Sequence, residues 1–135
     1  MTDRHAVAEL FASYAAANDL RDVAAIGDCF TPDGAFILHI AGGDTIGPLE
    51  PREEVVAFFG AAFSGQSDQR RHVVTNMRLL ESDDDRARVE AYLTLIVTDG
   101  GRTALQSAGR YDAVVVGDGT EWRFRAMTLF LDSAF

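Results

Sequence analysis

Residues 88–97 read RVEAYLTLIV, and the fold turns on that stretch. Val89, Ala91, Leu93, Leu95 and Val97 fall on one face, with Arg88, Glu90, Tyr92 and Thr94 on the other. This period of two is that of a strand with one face on a core. The same pattern continues on both sides, broken by the turn signals SDDD at 82–85, DGG at 99–101 and GDGT at 117–120. Residues 69 onward are therefore expected to form four long strands in an antiparallel meander.

Before residue 69 the period is helical. In DRHAVAELFASYAAAND, Val7, Leu10, Phe11 and Tyr14 follow three-and-four spacing, predicting a helix over about residues 3–18. RDVAAIGDCF reads as a short second helix, TPDG at 31–34 as a turn, and AFILHI at 35–40 as a first strand. GGDTIGPLEP at 42–51 reads as a loop. REEVVAFFGAAF returns to helical spacing, with acidic residues in the first turn where the helix dipole favours them. Helices followed by a run of strands make this an α+β chain, and its 135 residues fit one domain, 1–135. A curved sheet wrapped round three helices would leave a cavity at one end, a common place for a small molecule.

Composition narrows the function. The formal charge of −9 repels phosphate backbones and anionic membrane surfaces, so neither nucleic acid nor membrane is an expected partner. One cysteine, Cys29, excludes an internal disulfide and reads as a buried apolar residue. MTDRHAVAEL has no continuous apolar run, which is unlike a signal peptide or membrane span, and a cytoplasmic location is expected.

The candidate chemistry centres on His72 in RRHVVTNMRLL, residues 70–80. A histidine beside a carboxylate makes a good general base, because its ordinary pKa of about 6.5 lies near working pH. The face of His72 is open, since the odd-numbered residues Val73, Thr75, Met77 and Leu79 are more apolar than the even ones. Either the sheet is buried on both sides or His72 points outward. Asp19 is the candidate partner, at the edge of the first helix where Ala8, Ala12 and Ala15 leave room. It has a second reading as the cap of the second helix, with Asp22 three residues on, a role that Asn18 could also fill. His39 is expected on the outer side of its strand, with Phe36, Leu38 and Ile40 inward. Arg110 reads as a sheet-surface charge. No metal-ligand spacing such as His-x-x-x-His occurs, so no metal is expected, and nothing suggests a nucleotide loop or organic cofactor.

YAAANDLRDVAAIGDCFTPDGAF at 14–36, RHVVTNMRLL at 71–80 and GRYDAVVVGDGTEWRFRAMTLFLD at 109–132 together resemble the SnoaL-like branch of the nuclear transport factor 2-like superfamily. In that branch a tyrosine-led helix ends in Asp-x-x-Asp and a later strand reads His-x-x-Thr-Asn. The resemblance covers nearly the whole chain. It implies a cystatin-like cone of three helices in a strongly curved, mostly antiparallel sheet, and homodimerisation through the exposed sheet face. Within the superfamily the chain is most similar to scytalone dehydratase and hexachlorocyclohexane dehydrochlorinase, whose Asp–His pair falls on Asp19 and His72. The implied activity is a cofactor-free lyase, of dehydratase type, acting on a small, largely apolar hydroxy or carbonyl compound in an apolar cavity. An isomerase or polyketide-type cyclase using the same pair, and a non-catalytic ligand-binding or structural subunit, are the alternatives. Tyr14 and Asn76 are secondary substrate-binding candidates, and Tyr111 is a further polar group for a developing oxyanion. The departures count too. Tyr14 stands where the dehydrochlorinase has lysine, no histidine follows His72, and Pro51 replaces a usual glycine.

Overall fold

The computed structural model describes residues 2–118 and 120–134. Its elements are α1 (Arg4–Leu20), α2 (Val23–Asp28), β1 (Phe30–Ile40), β2 (Thr45–Leu49), α3 (Arg52–Ser64), β3 (Gln69–Ser82), β4 (Arg86–Asp99), β5 (Arg102–Gly117) and β6 (Trp122–Leu131). The six strands form one sheet in the order β2-β1-β6-β5-β4-β3. Only β1 and β6 run parallel; every other neighbouring pair is antiparallel. This is the expected α+β cone, three helices held in a curved, mostly antiparallel sheet.

The alternation in β4 lands as its sequence predicts, with Val89, Ala91, Leu93 and Leu95 buried and Tyr92 outward. Opposite it, β5 buries Tyr111, Ala113 and Val115. Helix α1 supplies Val7, Leu10, Phe11 and Tyr14 to the same core. Tyr14 is its hub, meeting Phe30, Phe59, Tyr111 and Phe124 edge-on with ring centres 5.5 to 6.2 Å apart. That geometry suits the positive edge and negative face of aromatic rings.

Two segments depart from expectation. TPDG is not a turn between elements but a bulge inside β1: Phe30 pairs with Phe124 and Ala35 with Ala126, so several extra β1 residues are looped out. The Thr31 hydroxyl donates to Asp33 Oδ1 at 2.8 Å within the bulge. Gly34 is required there, since a Cβ would sit 2.9 Å from the Thr31 carbonyl. GGDTIGPLEP is not wholly loop either, because Thr45–Leu49 pairs with β1 as the edge strand β2. An edge strand, bonded on one side only, tolerates Pro48. Pro51 occupies the N-cap of α3. Of the expected 117–120 turn, Gly119 lies outside the described residues.

The outer face of the sheet carries charge. Arg88 pairs with Asp112 at 2.8 Å and Arg78 with Glu90 at 2.7 Å. Arg110 reaches Glu90 at 3.4 Å and lies 4.3 Å over the Phe130 ring, the surface role expected of it. His39 also sits on this side, stacked on Phe130 and bonded through Nδ1 to the Thr45 hydroxyl at 2.8 Å. No helix among the described residues is long and apolar enough to cross a membrane.

Candidate active site

Helix α1 ends at Leu20 because Arg21 takes a left-handed conformation, φ 54°, its N–H returning to the Asn18 carbonyl at 3.1 Å. Three contacts then tie this helix end to the start of β3. The Arg21 guanidinium donates to the Asp68 carbonyl at 2.6 Å, Gln69 Nε2 to the Asp19 carbonyl at 3.3 Å, and His72 meets the Asp19 side chain. Asp19 Oδ1 accepts from the His72 backbone N–H at 2.9 Å and lies 2.7 Å from His72 Nδ1. β3 is a sheet edge, and Asp19 takes an N–H that a further strand would otherwise have taken.

The capping reading of Asp19 is thereby corrected. Asp22 is the N-cap of α2, its side chain accepting from Ala25 N–H at 3.1 Å. Asp19 lies inside α1, one residue before its end, and is free to reach the sheet. Asn18 caps nothing: it is buried, and its Nδ2 donates to the Tyr14 carbonyl at 3.0 Å.

The facing of His72 is settled by one extra residue in β3. Thr75 pairs with Tyr92 and Arg78 with Glu90, three steps on β3 against two on β4. Within that bulge Asn76 is left-handed at φ 57°, a conformation asparagine tolerates better than most residues. His72 and Val74 point inward before the bulge, and Met77 and Leu79 after it. Val74 before the bulge and Met77 and Leu79 after it are therefore all inward, on opposite parities, while Val73 and Thr75 of the odd-numbered set face out. Asn76 itself is exposed and absent from the wall of the cavity described next, so the structure does not bring it to a bound molecule. Its part is in the backbone.

His72 borders two spaces. One is the groove foreseen beside Ala8, Ala12 and Ala15, which Asp19 and Val74 also line. The other is a cavity of about 80 Å³ between α1, α3 and the sheet. Phe36, Phe58, Phe59, Phe63, Leu93 and Leu129 give this cavity most of its wall, and Tyr14, Tyr111, Asn18, Gln66 and Arg70 join His72 as its polar members. Arg70 was not singled out in the sequence, although its place two residues before His72 on the same strand face could have pointed to it. It pairs with Asp68 at 3.0 Å. Nothing in the sequence pointed to Gln66.

The His72 and Asp19 side chains are 12% and 14% exposed. Burial is the larger influence on His72 and lowers its pKa from 6.5, outweighing the hydrogen bond and charge of Asp19, which raise it; the Arg70 cation lowers it further. The imidazole is therefore neutral above about pH 6.5. A carboxylate only accepts, so Asp19 selects the tautomer with its proton on Nδ1 and leaves Nε2 as an acceptor. Burial likewise pushes the Tyr14 and Tyr111 hydroxyls well above their ordinary range, keeping both as neutral donors. Among the described residues no three His, Cys, Asp or Glu side chains gather where a metal ion would sit.

Residues 1–128 match the family model of the SnoaL-like domain. The chain belongs to the SnoaL-like family. No curated protein matches it significantly, whereas solved structures of this family's cystatin-like fold do. The beta subunit of a candidate aromatic-ring-hydroxylating dioxygenase from Novosphingobium aromaticivorans is 16% identical, with TM-score 0.84, over 98% of this chain and 90% of that one. A Catenulispora acidiphila protein in complex with S-DNPA is 23% identical, with TM-score 0.79, over 94% and 91%. A candidate scytalone dehydratase from N. aromaticivorans is 16% identical, with TM-score 0.74, over 94% and 82%. At these identities the likeness is one of fold.

Proposed function

We propose that this SnoaL-like protein is a cofactor-free acid–base enzyme, a lyase of dehydratase type, with His72 as base and Asp19 as its orienting partner. The observation that carries the reading is the 2.7 Å contact between Asp19 Oδ1 and His72 Nδ1, with His72 on the wall of a largely apolar cavity. A carboxylate that fixes the tautomer and steadies the imidazolium is what a catalytic imidazole needs. The substrate is a small, largely apolar β-hydroxy carbonyl compound. His72 Nε2 removes a proton from the carbon next to the carbonyl, and the electron pair of that bond moves onto the carbonyl oxygen. Tyr14 and Tyr111, neutral donors on the cavity wall, stabilise the resulting oxyanion. The electrons then return, the β-hydroxyl leaves, and the imidazolium gives it the abstracted proton, so that the products are an enone and water. Return of the proton to a different carbon would make the same pair an isomerase, and attack on a second carbonyl a cyclase.

3-Hydroxycyclohexanone in D₂O separates these outcomes. The wild type is expected to form cyclohexenone, seen by its ultraviolet absorbance, with His72→Gln and Asp19→Asn slower by roughly 10²-fold or more. Deuterium entry without enone would move the assignment to isomerase or cyclase, and equal rates in all three proteins would sink the catalytic reading. Val73 and Tyr92, outward on the sheet and both well exposed, support assembly as a homodimer through that face; a monomer by sedimentation would end that part of the proposal.

A further inference from the structure

Gln66 lies just beyond α3, its backbone N–H closing the last turn on the Phe63 carbonyl at 3.1 Å. Its side chain forms part of the cavity wall, yet its amide oxygen Oε1 is buried without a hydrogen-bond partner. Buried side-chain acceptors are nearly always paired, and one that is not marks a place where a partner arrives from elsewhere. Gln66 lines the cavity, whose contents change when a ligand binds. The last torsion of a glutamine side chain is broad, so the amide turns toward an occupant at little cost. The other orphan among the described buried side chains, Trp122 Nε1, borders a different cleft.

We propose that Gln66 is a specificity-determining residue whose amide oxygen accepts a hydrogen bond from a hydroxyl on the substrate. Gln66 enters the wall from the end of α3 and His72 from β3, so the hydroxyl it reads belongs to a part of the molecule other than the reacting carbon. The substrate class narrows accordingly to apolar compounds bearing a donor hydroxyl in addition to the β-hydroxy carbonyl unit. This assignment rests on the cavity as the substrate site, as does the function proposed above.

Three monosubstituted benzenes test it: phenol, which donates; toluene, its equal in size, which neither donates nor accepts; and anisole, one methyl larger, which only accepts. Amide chemical shifts of the wild type are expected to report phenol bound about tenfold more tightly than either of the others, one hydrogen bond's worth. In Gln66→Met that ratio falls to about one, while in His72→Gln it persists. Gln66→Asn, which keeps the amide but shortens its reach, should also lose the ratio and serves if the Met variant does not fold. Failure of all three probes to bind, a wild type that prefers anisole or ranks the three alike, or a ratio that survives in the Gln66 variants overturns the assignment. So does a ratio lost only in His72→Gln, which would place the phenol on the imidazole. If the ranking holds but neither 3-hydroxycyclohexanone at saturating concentration nor a 3-hydroxycyclohexanone carrying a second hydroxyl is dehydrated by the enzyme, the acid–base reading fails and the role of Gln66 stands.

Discussion

Asp19 Oδ1 serves two donors on one residue, and a double-mutant cycle between Asp19 and His72 separates them. His72→Ala deletes the imidazole bond and leaves the backbone N–H on the carboxylate. Asp19→Ala deletes both. A hydrogen bond to a charged acceptor contributes about 1.5–3 kcal/mol, and both side chains are buried enough to keep most of that. The coupling energy between the two side chains should therefore be about 1.5–3 kcal/mol. Asp19→Ala alone should cost about 2–6 kcal/mol, because the backbone N–H and the ring Nδ1–H of His72 are each left unpaired, at about 1–3 kcal/mol apiece. Urea unfolding of the four proteins at pH 7.5 measures both quantities, in a range where His72 is neutral. On lowering the pH, wild type should lose stability beginning near 6.5, the unfolded value, and continuing down through the lower folded pKa of His72, because only the unfolded chain binds that proton readily. His72→Ala should lack that component. A coupling energy within about 0.5 kcal/mol of zero, the ordinary scatter of additive mutations, would refute the pairing.

Asp22→Ala should cost about 1 kcal/mol as a lost helix cap while leaving the ¹⁵N shifts of the His72 ring unchanged; a shifted ring would mean that the two aspartates are not functionally separate. At position 76, glycine should be accepted within a few tenths of a kcal/mol and valine should destabilise by about 1–2 kcal/mol, since only the left-handed backbone distinguishes them; equal thermal midpoints would contradict the bulge. Cys29 is 5% exposed, and burial pushes its thiol up to about 11, so iodoacetamide at pH 8 should label it only after urea is added. Rapid native labelling would count against its placement.

The sheet from β4 to β6 was legible because clear turns bound its strands and β4 and β5 alternate over most of their length, even though β6 changes parity between Phe124 and Met127. TPDG and GGDTIGPLEP were not, because proline and glycine signal a turn whether they end a strand, bulge it or sit on its edge, and only the partner strand decides which. The first helix was read correctly apart from its end. Asp19 and Asp22 look alike in sequence, each able to cap the second helix, and the left-handed Arg21 between them is what assigns one to the sheet and the other to the cap. Gln66 was invisible, since a single polar residue after a helix carries no period.

The ambiguity over His72 has a physical origin that also explains how a polar site and an apolar core share one edge strand. An uninterrupted β3 would alternate strictly, so seating Met77 and Leu79 against the core would turn His72 and Val74 to solvent. Fully burying an aliphatic or methionine side chain contributes about 1.5–3 kcal/mol, so two such residues, even half-buried, would outweigh a single histidine whose burial carries a desolvation cost. The core would win, and Asp19 would lose its partner. The extra residue at Asn76 removes that competition by changing parity between the two halves of the strand. The half nearer α1's end is left free to face Asp19, while the other half packs. A left-handed backbone position is thus a condition for the contact between Asp19 and His72, although its side chain lines neither space beside them.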